Sequence, residues 1–352
     1  MVLGMDEKVT SGEGSGRGGS FRGYLVKVSN GMALGLFASL IIGLILRQAG
    51  GLLSMPSVEM FGRVAQLLMG PAIGAGVAFA TGAPPLVLFS SLIAGAVGAG
   101  TFSFDGGAVS VVIGEPVGAL VASLAGAEFS RRIAGKTGMD IVLVPAGTIL
   151  VGGLTGVVAG PFIAGMMYWI GNAINVATTL RPIPMGILVS VMMGVALTLP
   201  ISSAALAISL GLSGLAAGAS TTGCCCQMIG FAVASYRDNG VGGLFSQGLG
   251  TSMIQIPNII RNPWIWIPPT LASAVLGPVS TVFFRMENSR VGAGMGTSGL
   301  VGQVSTLETM GAAAWPGILL LHFLLPAALS LLFAEILRKT GRIRPGDMKL
   351  EK

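Results

Sequence analysis

IVLVPAGTILVGGLTGVVAGPFIAGMMYWIGNAINVATTL, residues 141–180, carries no formal charge. A bilayer core needs only about 20 consecutive apolar residues to be crossed by a helix. The stretch is long enough for two crossings, so it reads as spans at 141–160 and 161–180. Working outward, comparable apolar runs occupy 30–46, 64–81, 84–104, 107–128, 184–210, 213–235, 264–284 and 311–337. Together they predict an all-α polytopic membrane protein of about ten transmembrane helices.

Composition points the same way. Charged residues make up 10% of the chain, against about 25% in soluble domains. The mean hydropathy of +0.82 fits no soluble class. Gly is abundant, at 56 residues without a collagen period, as expected where small residues let membrane helices approach closely. The net charge of +6 is not a nucleic-acid footprint, because the basic residues lie at the ends of apolar runs. If ten spans alternate, Arg17, Arg22, Lys27, Arg131, Arg132, Lys136, Arg181, Arg237, Arg338, Lys339, Arg342 and Arg344 share one side. Arg47, Arg285 and Arg290 fall on the other. Positive-inside topology then puts both termini in the cytoplasm. The expected organisation is a disordered N-terminal tail at 1–23, a membrane domain at 24–340 and a basic C-terminal tail at 341–352. The Gly/Ser-rich start has too little apolar surface to bury a core.

Two stretches resist a spanning assignment. Residues 240–260 (GVGGLFSQGLGTSMIQIPNII) and 291–304 (VGAGMGTSGLVGQV) are apolar but rich in Gly. Each contains G-x-G-T-S, as Gly248, Gly250, Thr251 and Ser252 in the first and Gly294, Gly296, Thr297 and Ser298 in the second. Re-entrant hairpins lining a protein cavity are one reading. Interfacial Gly loops are the other.

Charge inside apolar runs is costly, so each such residue is a functional candidate. Glu115 sits in VVIGEPVGAL (111–120), inside an expected span that Gly114 and Pro116 can break. A carboxylate there suits a sugar or proton site, and a structural pair with an Arg is the plain alternative. Asp105, before Gly106, suits a turn. Glu128 is placed for an ion pair with Arg131, and Glu308 either faces the cavity or does not. His322, the one His, is a proton relay or a solute contact, or more commonly an interhelical hydrogen-bond partner. Cys224, Cys225 and Cys226 are consecutive, so on a helix they diverge and suit packing rather than a metal site. Asn172, Asn175, Gln255, Asn258 and Gln303 are amides suited to a neutral hydroxylated solute, or to joining helices. Asn172 and Asn175 share a face if helical. No phosphate-binding G-x-x-x-x-G-K-[ST] sequence occurs. No catalytic residue, metal set or cofactor is expected.

The pieces IGEPVGALVA (113–122), LTLPISSAALAI (197–208), GLGTSMIQIPNI (248–259), WIPP (266–269) and GAGMGTSGLVGQ (292–303) resemble membrane IIC subunits of bacterial phosphotransferase-system sugar transporters. The likeness covers roughly 25–340 and is strongest toward a PfoR-like, toxin-regulator-like branch. A weaker one to fructose-type subunits runs through 184–205, but LTLP (197–200) stands where those carry an acidic D-M-G-G-P. The resemblance implies about ten spans, re-entrant hairpins and a homodimer in the bacterial inner membrane. It implies a sugar permease whose cargo a separate IIB protein phosphorylates, supplied through IIA and HPr. Glu115 would then be the leading hydroxyl contact, with Asn258 and Gln303 next and Asn175, Gln255, Glu308 and His322 behind them. A non-phosphorylating secondary transporter, or a membrane solute sensor, is the alternative on the same scaffold.

Overall fold

The computed structural model describes residues 17–105 and 108–350. Most of the expected N-terminal tail, residues 1–16, lies outside the described part. From Arg17 the chain is helical: α1 (Arg17–Leu36) passes through a π-helical turn into α2 (Ile42–Leu52). Next come α3 (Pro56–Leu67) and α4 (Met69–Ala80), one apolar segment bent by 55°, then α5 (Pro85–Ala99). A small antiparallel hairpin, β1 (Phe102–Asp105) with β2 (Ala108–Val111), leads to α6 (Pro116–Ile133). Gly106 and Gly107, the expected turn, lie outside the described residues.

The opening stretch corrects the span count. It forms one helix, α7 (Asp140–Thr178), 39 residues long with Pro145 and Pro161 inside it. Proline is tolerated within a membrane helix where neighbours or local adjustments satisfy the freed carbonyl. The run at 184–210 also fails to span as one helix. It breaks at Leu199–Ser202 into α8 (Pro182–Thr198) and α9 (Ser203–Ser209). Among the described residues, four helices are long and apolar enough to cross a membrane, and the bent α3–α4 pair makes five.

The C-terminal half is built around α10 (Gly214–Ala234), whose residues are almost all buried. α11 (Tyr236–Phe245) and a π-turn enter the bundle, and a 3-10 turn with α12 (Ile256–Arg261) leaves it. α13 (Ile267–Pro278) follows, then an irregular stretch to α14 (Val301–Met310). The short α15 (Trp315–Gly317) and a π-helix over Ile318–Leu324 continue into α16 (Leu325–Lys339).

Glycine explains the tightness of this half. A Cβ on Gly223 would lie 1.9 Å from the Ser190 carbonyl oxygen, and one on Gly277 would lie 2.0 Å from that of Gly186. α8, α10 and α13 thus touch backbone to backbone, the approach that small residues permit in lipid. Gly194 against Gly223 and Thr198 against Gln227 show that α8 and α10 run in the same direction.

This direction corrects Arg181. Thr281 Oγ1 donates to the Pro182 carbonyl (2.8 Å), so Arg181 sits at the end of the molecule where α13 gives way to Arg285. Arg131, Arg237 and Arg338, expected on its side, lie at the opposite end. There Tyr24 donates to Glu128 (2.7 Å), Glu128 pairs with Arg131 (2.6 Å) and Glu335 pairs with Arg338 (2.6 Å) and Arg237 (3.1 Å). Because 141–180 is one helix, the side assigned to Arg181 inverts.

The C-terminal segment is ordered against that same basic end. Asp238 accepts the Gly346 N–H, Asn239 accepts the Leu350 N–H, and Asn239 donates to the Met348 carbonyl. Ile343 and Met348 are buried beside Phe231 and Ile265, and Arg342 stacks 3.8 Å over the Trp264 ring.

Candidate functional site

Glu115 owes its position to the Gly–Glu–Pro sequence around it. Gly114 has φ +79°, and a Cβ there would meet the Ala99 carbonyl at 2.4 Å. Glu115 is extended, its N–H donates to that same carbonyl (2.9 Å), and Pro116 opens α6. The break expected here is therefore a helix start, not the middle of a span. Glu115 is half-buried. The Ser202 backbone N–H lies near its carboxylate, while Oε2 has no partner among the described residues.

That carboxylate lines a cavity of about 800 Å³ between α5, α6, α7 and α9. Asn172 and Asn175 line it too, so three of the sequence candidates converge. Tyr168 is a fourth polar group that the sequence reading passed over. Its position four residues before Asn172 and seven before Asn175 was the available signal, since i, i+4 and i+7 share a helix face. Val97, Met167, Leu206 and Leu210 supply apolar walls. The cavity thus combines hydroxyl-binding groups with surfaces for C–H faces, the mixture found in small-molecule sites.

The remaining candidates lie elsewhere. Gln255 donates to Gln247 Oε1 (2.8 Å) and to the Met348 carbonyl (3.0 Å), and Asn258 donates to Gln255 (2.8 Å) and the Lys349 carbonyl (2.9 Å). Both amides hold the C-terminal segment rather than facing the Glu115 cavity. Gln303 reaches His322 Nδ1 (3.2 Å) and Cys225 Sγ (3.4 Å) in a fully buried node. That is the interhelical role open to His322. Glu308 is exposed and does not line the Glu115 cavity. The three cysteines are buried and free, each turned to a different neighbour.

The two G-x-G-T-S motifs fold back from opposite ends and meet. Thr297 Oγ1 donates to the Gly248 carbonyl (2.5 Å) and Ser298 Oγ to that of Gly250 (2.8 Å). The base of the first hairpin holds the C-terminal segment. The base of the second is closed by Ser289 with Ser305 (2.7 Å) and by Asn288 with Thr306 (3.0 Å). The two motifs thus meet tip to tip inside the protein, with Gly248, Gly250, Thr297 and Ser298 buried.

The broken α8–α9 turn connects cavity and hairpins. Thr198 Oγ1 bonds Ser252 Oγ (2.8 Å), the Ser202 N–H lies near Glu115, and Ser203 Oγ donates to the Gly294 carbonyl (2.7 Å). LTLPISS (197–203) therefore touches the cavity carboxylate and both motifs.

A family model described as Phosphotransferase system, EIIC matches residues 26–350. The match is to the family as a whole and does not separate a PfoR-like branch. No curated protein and no solved structure matches the chain.

Proposed function

The chain belongs to the phosphotransferase-system EIIC family, and from that premise we propose that it carries a sugar through the cavity of Glu115. The observation that supports this reading is the free Glu115 Oε2 opposite the polar face of Tyr168, Asn172 and Asn175. A carboxylate accepts and amides both accept and donate, so the set matches hydroxyls, which do both. Burying an unpaired carboxylate is costly, and hydroxyl donors on a bound sugar relieve that cost.

Movement follows from the connections. The cavity wall on α5, α6 and α7 meets the α8–α9 turn where Glu115 approaches the Ser202 N–H. A sugar that competes for that carboxylate loosens the joint between the two walls. The same α8–α9 turn bonds both hairpins, so loosening it frees the motif tips. Alternating access then proceeds by rocking of one wall against the other. A separate IIB protein, charged through IIA and HPr, phosphorylates the delivered sugar. The basic end carrying Arg237, Arg338 and Arg342 is its docking face. The same proposal includes a homodimer in a bacterial inner membrane with both termini cytoplasmic.

The test is thermal stability of the purified protein against sugars, polyols and organic acids, because a ligand binding the native state raises stability by mass action. One sugar class should stabilise the wild type and lose its effect on Glu115→Gln. Stabilisation by an organic acid alone, with no sugar active, would overturn the sugar reading.

A further inference from the structure

The Glu115 cavity holds an unbalanced charge. Among the described residues, Glu115 is the one charged side chain that lines it. The rest of the lining is glycine, alanine, larger apolar side chains, Tyr168 and the two asparagines. Oε2 has no partner among the described residues, and Glu115 takes no part in the ion pairs of Glu128 and Glu335. The first basic residue along α6 is Arg131. A helix rises about 24 Å between the two positions, and Glu128 already holds that arginine. Arg181 lies beyond the end of α7 and does not line the cavity.

Hydroxyl bonding and charge balance are separate demands. A neutral sugar can donate to the lone pairs of Oε2, yet it leaves a full negative charge within a largely apolar membrane protein, where unpaired charge is costly. A solute that brings its own positive charge meets both demands. An ammonium has three donors and no acceptor. The carboxylate and the two amide oxygens accept such donors, and an aromatic ring such as that of Tyr168 attracts cations to its face. An acidic solute would meet repulsion at Glu115, with no cation in the lining to hold it.

We infer that the solute of this cavity carries a protonated amine, as a hexosamine does, with its ammonium on Glu115 Oε2 and its hydroxyls on Asn172, Asn175 and Tyr168. The inference rests on the Glu115 cavity being the solute site proposed above, and it narrows the class of sugar that enters. A proton on the carboxyl would be the other way to cancel the charge, and would let a neutral hexose bind as well as its amine. Glu115→Gln imitates that neutral state, so the two cases separate.

The experiment is isothermal titration of the purified full chain near neutral pH with matched pairs. These are glucose and glucosamine, galactose and galactosamine, mannose and mannosamine, with the N-acetyl form of each amine. One hexosamine should bind about tenfold tighter than its hexose, since a hydrogen bond between charged partners is roughly twice as strong as a neutral one. Its N-acetyl form keeps the substituent but loses the charge, and should bind no better than the hexose. That comparison needs only the wild type. Glu115→Gln, checked for folding by its size-exclusion profile, should erase the preference for the amine. A hexose or N-acetyl form that binds as tightly as the amine would overturn the inference and leave the sugar reading standing. An amine preference that survives in folded Glu115→Gln would put the ammonium elsewhere and overturn it too. Binding by none of the hexosamines would also overturn it, while the sugar reading would then stand or fall on the wider panel of sugars and polyols.

Discussion

Thr297 Oγ1 donates to the Gly248 carbonyl over 2.5 Å, and the neighbouring Ser298 repeats the contact one step along at Gly250. Two copies of one short motif arrive from opposite ends, and the second caps free backbone carbonyls of the first. The tips of such Gly-rich hairpins have carbonyls that no helix satisfies, and within a membrane protein such groups must find partners in protein or in a water-filled cavity. The second motif supplies donors to the first, and Ser203 supplies one to the second at the Gly294 carbonyl.

Removing both hydroxyls should be far worse than removing either. The Thr297→Ala, Ser298→Ala double variant leaves two buried carbonyls unpaired, at about 1–3 kcal/mol each. Its melting temperature in detergent should fall clearly. Thr297→Ser keeps the donor and should remain near wild type. A double variant that melts with the wild type would show that water replaces the hydroxyls without loss.

Gly223→Ala should be more damaging than any polar change in α10. The added methyl would lie 1.9 Å from the Ser190 carbonyl oxygen, and that neighbour is backbone, which cannot swing aside. Overpacking a tight core costs typically 1–3 kcal/mol or more, and here α8 must move bodily. Low yield of folded protein by size-exclusion profile is the expected result. Gly242→Ala, where a Cβ meets nothing within 4 Å, is the matched control.

The contrast between these two glycines marks what could be read from sequence. High Gly content announced close helices, but not which glycines make the contacts, because that depends on partners distant in the chain. The Gly114–Glu115–Pro116 break was legible from local chemistry, and so was the shared face of Asn172 and Asn175. The span count was not. Two spans with no polar turn between them and one long helix share the same hydropathy, and Pro161 does not decide between them. In the same way, LTLPISS looked apolar enough to cross, yet it turns back at Pro200. Gln255 and Asn258 were read as solute ligands because their residue type suits one. Their partners are carbonyls near the C-terminus, some 90 residues further on.

Those partners make the C-terminal segment a structural strap. Deleting residues 342–352 would strip Gln255, Asn258 and Asn239 of bonds to Met348 and Lys349, and would uncover Phe231 and Ile265 by removing Ile343 and Met348. The truncated protein should melt at lower temperature, and hydrogen exchange should quicken over 243–256, because Gln255 bonds Gln247 in the first hairpin. Faster exchange confined to the surroundings of Asn262, which loses its bonds to Arg342 and Asp347, would show that the strap is not coupled to the hairpin.

The inverted side of Arg181 can be tested directly. Cys224, Cys225 and Cys226 are fully buried, so a membrane-impermeant maleimide should leave the wild type unlabelled and give a clean background. Arg181 and Arg344 are both exposed and tolerate replacement without loss of a buried contact. With α7 as one continuous helix, the two positions lie at opposite ends of the molecule. With the proposed cytoplasmic C-terminus, Arg181→Cys should label in intact cells and Arg344→Cys only in inside-out vesicles. Ten alternating spans require the reverse for Arg181, with both cysteines reacting from the cytoplasmic side, because a turn near residue 160 would return the chain before it reaches that arginine.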